Sequence, residues 1–257
     1  MDSSRLQINI EETFPPVISA IGELDYQNCD SLASLITGTI CKCGPTMKLS
    51  LGGLEFVDSS GLRILVKAAI DAKKTGGSVT VVSLTRQLKR MLEISGFQHL
   101  FEITATSTDP TAVESKNLSP APTCCFELPS GMEICGIIRN KVCCYAGEMG
   151  CDPLILDDVR LAVGEAVSNA VRHGACNGDN IEVNCSTDNG RLIVTLKYLS
   201  EPFDPHAVPI PNPDLTPEGG MGIHFMKLVM DKVDYNYDNG YLTIKLEKQL
   251  TVSAHSW

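Results

Sequence analysis

Glu165 and Asn169 stand four residues apart in Val159-Arg160-Leu161-Ala162-Val163-Gly164-Glu165-Ala166-Val167-Ser168-Asn169-Ala170-Val171-Arg172-His173-Gly174. That spacing puts a carboxylate and an amide on one face of a helix. Asp and Asn scattered on a helix usually mark a solvated face, but the neighbours here are mostly Ala and Val, so these two groups read as lining a site. Further on, Phe203-Asp204-Pro205 and Glu218-Gly219-Gly220-Met221-Gly222-Ile223 precede a helical stretch at 223–231. Glycines there would let backbone N–H groups approach phosphates. A separate constellation is Phe56-Val57-Asp58-Ser59-Ser60-Gly61. A strand ending at Val57 and a helix starting around Ser60 put Ser59 at a helix N-terminus. A phosphate of charge about −1.5 to −2 is tolerated there by free N–H groups and the helix dipole. Asp58 and Ser59 also suit a helix cap, and the two roles are compatible.

The elements that must position these residues fall into two blocks. In the first, Leu6–Ile10, Val17–Ile21, Met47–Leu51 and Val79–Val82 read as strands. Leu62, Leu65, Val66, Ala69 and Ile70 follow the i, i+3, i+4, i+7, i+8 spacing of an amphipathic helix. Another helix carries Leu32, Leu35 and Ile36, and a short one runs from Gln87 to Ser95. Strands alternating with helices predict a small α/β layer. The second block predicts helices at about 131–149 and 154–174, strands near 180–186 and 191–198, and a last strand pair near 233–237 and 241–247 joined at Asp238-Asn239-Gly240. Helices on one side of a mixed sheet predict an α+β sandwich. Between the blocks, 14 of the 20 residues from 104 to 123 are Ser, Thr, Ala or Pro, which predicts a flexible linker. The organisation expected is thus 1–103, a linker at 104–123, 124–250, and a tail at 251–257.

Around Leu49-Ser50-Leu51 and Phe56-Val57-Asp58-Ser59-Ser60-Gly61-Leu62 the first block resembles the STAS domain family, in particular bacterial anti-sigma factor antagonists. Gly22-Glu23-Leu24-Asp25, Gly76-Gly77 and Leu92-Glu93-Ile94-Ser95-Gly96-Phe97 also match. The resemblance implies that Ser59 is the phosphoacceptor of a partner kinase, within a switch loop of Asp58, Ser60 and Gly61.

The helix bearing Glu165 and Asn169 resembles the N box of GHKL-type ATPases, specifically anti-sigma factor serine kinases, whose fold is a Bergerat-type α/β sandwich. The resemblance implies that Glu165 is the general base toward a substrate hydroxyl and that Asn169 ligates Mg²⁺ bridging the phosphates of ATP, chemistry that rests on positioning and charge neutralisation. His173, Asp204, Gly220 and Gly222 fall on further ATP-binding positions. Three positions and one loop depart from the pattern. The adenine-pocket motif Asp-x-Gly, counted back from Phe203, falls on Tyr198 and Ser200. Glu218 stands where several relatives carry an Arg, and the loop from Pro205 to Gly219 is short for an ATP lid.

Two readings follow from the resemblance. One is a partner-switching regulator of a sigma factor pathway, with a phosphorylatable STAS domain tethered to a kinase-fold domain of impaired or atypical ATP binding. The other is an active ATP-dependent serine kinase acting on a STAS-type antagonist in cis or in trans. The implied partners are STAS or anti-sigma kinase proteins, a sigma factor, or a second copy of the chain. Composition limits the rest. Formal charge is −10 over 257 residues, which argues against a nucleic-acid grip or an anionic membrane surface. Residues 1–103 carry 10 basic and 11 acidic side chains, leaving 11 and 20 for the remainder, so an electrostatic partner of the second block should be basic. No apolar run approaches the roughly 18 residues of a membrane span, and Met-Asp-Ser-Ser-Arg does not read as a signal peptide. Eleven cysteines, with no Cys-x-x-Cys, predict reduced thiols in a cytoplasm, most of them core residues, and no metal site.

Overall fold

The computed structural model describes residues 6–104, 107–108, 123–131, 134–174, 179–202, 204–205, 207–208 and 220–251. The described residues form two compact units, one up to residue 108 and the other from residue 123 onward. In the first, β1 (Gln7–Glu11) and β2 (Val17–Leu24) make an antiparallel pair. They are followed by α1 (Cys29–Cys43), β3 (Met47–Val57), α2 (Ser59–Lys74), β4 (Val79–Thr85), α3 (Arg86–Ile94), and the two-residue strands β5 (Glu102–Ile103) and β6 (Ser107–Thr108). The sheet order is β1-β2-β3-β4-β5, with β6 also pairing β4. From β2 onward the pairings are parallel. Parallel neighbours need a crossover, and α1 and α2 supply the first two.

The helical stripe predicted for α2 is buried at Leu62, Leu65, Val66 and Ala69, with Ile70 half-buried. Each such side chain removed from water contributes roughly 1.5–3 kcal/mol. β6 falls inside the stretch predicted to be linker: Ser107 and Thr108 pair with Leu84 and Thr85. Most of the remaining linker stretch, and the tail after residue 251, lie outside the described residues.

The second unit comprises β7 (Thr123–Pro129), α4 (Ile134–Glu148), α5 (Pro153–His173), β8 (Asn180–Asp188), β9 (Arg191–Leu199), α6 (Met221–Val229), β10 (Lys232–Asp238) and β11 (Tyr241–Gln249). Its sheet runs β10-β11-β9-β8-β7. Every pairing is antiparallel, which corrects the expected mixed sheet. Turn chemistry sets two of the four pairings, β8 with β9 and β10 with β11. Asn189-Gly190 and Asn239-Gly240 all take positive φ, the condition for two-residue turns that return a strand beside its predecessor. One sheet face is buried at Ile181, Val183 and Cys185, at Leu192, Val194, Leu196 and Tyr198, and at Leu242, Ile244 and Leu246. Within the helical layer α5 lies against both α4 and α6. A part-buried ion pair, Lys248 Nζ to Asp158 at 3.1 Å, ties β11 to α5.

Ten described cysteines are free thiols. Cys29, Cys135, Cys143, Cys151 and Cys185 are buried, whereas Cys41, Cys43, Cys125 and Cys144 are exposed. Half rather than most are therefore core residues. Among the described residues no group of His, Cys, Asp or Glu gathers to hold a metal ion, and no helix is long and apolar enough to cross a membrane.

Candidate functional site

The first constellation is built on Asp58. Its carboxylate, 1% exposed, accepts from the N–H groups of Ser60 at 2.8 Å and Gly61 at 2.9 Å through Oδ1. Oδ2 accepts from Tyr26 N–H at 3.1 Å. Asp58 alone is thus the cap of α2, and Ser59 is the first helical residue, one position earlier than predicted and not itself the cap. Ser60 is buried and Ser59 half-buried, so of the two serines Ser59 is the one a partner can reach. Gly61 is required by close approach: a Cβ there would stand 2.6 Å from the Leu24 carbonyl oxygen. The bond from Tyr26 reaches across 32 residues, and nothing in local sequence signals it.

The second constellation gathers around the end of α5. Asp152 caps that helix by accepting from Leu154 N–H, Pro153 occupies its first turn, and Gly174 N–H returns to the Ala170 carbonyl at 3.0 Å. Glu165 is 1% exposed, Asn169 one turn later is half-buried, and His173 reaches the surface. The polar face read from the spacing therefore climbs from the interior of the helical layer to its rim. Gly220, in the left-handed conformation at φ 75, precedes α6, and its carbonyl accepts from His224 N–H at 3.2 Å. Gly222 is buried in the first turn. Lys227 Nζ donates to the Pro205 carbonyl at 3.4 Å, which holds the exposed Asp204 segment against α6. Phe203, Glu218 and Gly219 lie outside the described residues.

Tyr198 occupies the floor of this region. It is 2% exposed on the helix-covered face of β9, and its pKa is pushed well above the ordinary tyrosine range, first by burial and then by Tyr235. Its ring lies against Gly174: a Cβ on that glycine would collide with Cδ2 and Cε2. The ring is thus packed beneath the end of the helix that carries Glu165 and Asn169. Ser200, just past β9, donates its N–H to the Gly240 carbonyl at 3.0 Å and its hydroxyl to the Glu201 carbonyl at 2.9 Å. Sequence reasoning placed Tyr198 at the site but missed its partner, because Gly174 reads only as a helix terminator.

Residues 6–109 match the family model for the STAS domain, and residues 133–248 match that for the histidine kinase-like ATPase domain. The chain is 30% identical over 132 residues to a serine-protein kinase RsbW of Bacillus licheniformis, a stretch covering 48% of this chain and 82% of that protein. The C-terminal half belongs to the histidine kinase-like ATPase family, and the N-terminal half carries a STAS domain. The STAS half is 27% identical over 90 residues to an anti-sigma-B factor antagonist of Bacillus subtilis, covering 35% of this chain and 82% of that one. A crystal structure of an anti-sigma factor antagonist from Mycobacterium paratuberculosis matches 39% of this chain and 86% of its own, at 22% identity and a TM-score of 0.35.

Two imidazoles of the kinase-like half respond to pH. His173 is held below the ordinary 6.5 by partial desolvation and then by Arg172, and His224 by partial desolvation and then by Lys227. With folded pKa values below the unfolded ones, the unfolded chain binds more protons in the window between them. Stability contributed by these groups is full above about 6.5 and falls as pH drops through that window. Thermal melts at decreasing pH are expected to show a lower midpoint, and the His224→Gln protein a shallower decline.

Proposed function

We propose that the protein is a partner-switching regulator of a sigma factor pathway, with Ser59 as the phosphorylated residue of its STAS half and a kinase-like half that holds ATP weakly. The observation that carries this reading is the burial of the Tyr198 ring against Gly174. At the position where the family carries an adenine-reading carboxylate, this chain has a phenol that is neutral at all physiological pH and packed into the layer between sheet and helices. The base end of the site therefore does not fit adenine. The phosphate end keeps the donor set: Glu165 and Asn169 on one face of α5, with Gly220 and Gly222 at the start of α6. Glu165 suits a proton acceptor, and Asn169 a ligand to Mg²⁺. Their retention supports the second reading, an active serine kinase acting on a STAS-type antagonist. Titration calorimetry of the full chain with Mg²⁺·ATP separates the two.

The role of Ser59 rests on its accessibility beside a buried cap. A dianion at the first turn of α2 lies at the positive end of the helix dipole and changes the surface a partner sees, while Asp58 keeps the N–H groups of Ser60 and Gly61. The Ser59→Asp protein is expected to retain or gain about 0.3–1 kcal/mol of stability in denaturant melts, and to lose affinity for its kinase-type partner. Peptide mapping of the phosphorylated protein should find the phosphate on Ser59. Phosphate confined to the Ser and Thr residues of 104–123 would remove this assignment.

A further inference from the structure

Cys124, the second residue of β7, lies directly opposite Cys185 of β8 in the antiparallel register. Opposed residues of such a pair have Cα atoms about 4.5–5.5 Å apart and side chains on one sheet face, inside the ~4.4–6.8 Å span over which a disulfide closes. Both thiols are free. The face they share is the one covered by α4: Cys185 is 1% exposed, and Lys141 of α4 sits over the ring of Phe126, two residues along β7 from Cys124. The surroundings are rich in sulfur. Thr187 donates to Met149 Sδ at 3.6 Å, and Cys143 and Cys185 are both buried. Cys124 is half-buried on the edge strand, within reach of small solutes. The Cys185 thiol is pushed up to about 12 by burial and then by Cys124, and it is buried where Cys124 is half-buried, so Cys124 meets an oxidant first.

We propose that Cys124 and Cys185 form a reversible dithiol–disulfide site, oxidised by a hydroperoxide and stapling the edge strand β7 to β8. The Cys124 thiolate attacks a peroxide oxygen, the O–O bond breaks, and the departing hydroxide takes up the thiol proton as water, leaving a sulfenic acid on Cys124. The Cys185 sulfur then attacks the Cys124 sulfur. The S–O bond breaks, and hydroxide leaves with the Cys185 proton as a second water. Two thiols give up two electrons and one peroxide accepts them, and an added thiol reverses the bond by exchange. The closed loop spans residues 124 to 185 and therefore contains all of α4 and α5, including Glu165 and Asn169.

The test treats the full chain with hydrogen peroxide, blocks remaining thiols by alkylation and maps the peptides. The expected product is a Cys124–Cys185 cross-linked peptide, lost on reduction, absent from the Cys124→Ser protein and retained in the Cys125→Ser protein, whose altered residue is exposed on the other face. Cross-linking a loop this long should raise the thermal midpoint of the kinase-like half by about 5–15 °C, a shift the Cys124→Ser protein does not show. Oxidation that stops at sulfenic or higher acids on Cys124, or a bridge made through Cys143, Cys151 or a second chain, overturns the proposal. Should either variant fail to fold, the wild-type peptide map alone decides the outcome.

Discussion

The Tyr198→Asp, Ser200→Gly double variant is expected to bind Mg²⁺·ATP at least about tenfold more tightly than the wild-type chain. A charged hydrogen bond between a carboxylate and the adenine amino group contributes roughly 1.5–3 kcal/mol, or about ten- to a hundredfold in affinity. Removing the phenol also clears the volume beneath Gly174, where the ring now leaves no space for even a methyl group. The second change matters because Ser200 is held by the hairpin turn at Gly240 and by Glu201, and a glycine lets backbone approach the base. Replacing a buried aromatic with Asp lowers stability by about 3–5 kcal/mol through lost packing, so melts must accompany the titrations. The Tyr198→Ala protein supplies the control. If the phenol instead stacks on adenine, a contact of about 1–3 kcal/mol, the wild type binds ATP at micromolar level and Tyr198→Ala loses that binding. Micromolar wild-type affinity together with transfer to Ser59 would establish the active-kinase reading.

The Asp58→Ala protein is expected to lose about 2–4 kcal/mol in its STAS half. Truncation removes the helix cap, at about 0.5–2 kcal/mol, and leaves the Tyr26 N–H without its carboxylate partner, adding about 1–3 kcal/mol. Against a typical domain stability of about 5–15 kcal/mol, that is a large fraction. Hydrogen exchange read on peptides from residues 6–104 would report it as faster exchange in α2 and in the turn before α1, with little change in the kinase-like half. The Asp58→Asn protein should fall between, since an amide oxygen can still serve Ser60 and Gly61 while its NH₂ group opposes the N–H of Tyr26. A loss below about 1 kcal/mol in Asp58→Ala would show that water replaces the carboxylate and that the cap is not what holds the switch loop.

Local order along the chain was enough to define both halves. The stripe on α2, the Asp-Ser-Ser-Gly loop, the Glu165 and Asn169 pair and the Asn-Gly turns express interactions between near neighbours, and their period or turn chemistry survives in a one-dimensional reading. Tertiary structure decided what those residues meet. Strand direction in the second sheet depends on which strands become neighbours, and β11 inserts between β10 and β9. The bond from Tyr26 to Asp58, the ion pair of Lys248 with Asp158, the contact of Tyr198 with Gly174 and the register that opposes Cys124 to Cys185 all join residues at least 24 positions apart. No periodicity encodes such pairs, because close packing selects them through the shape of the whole core.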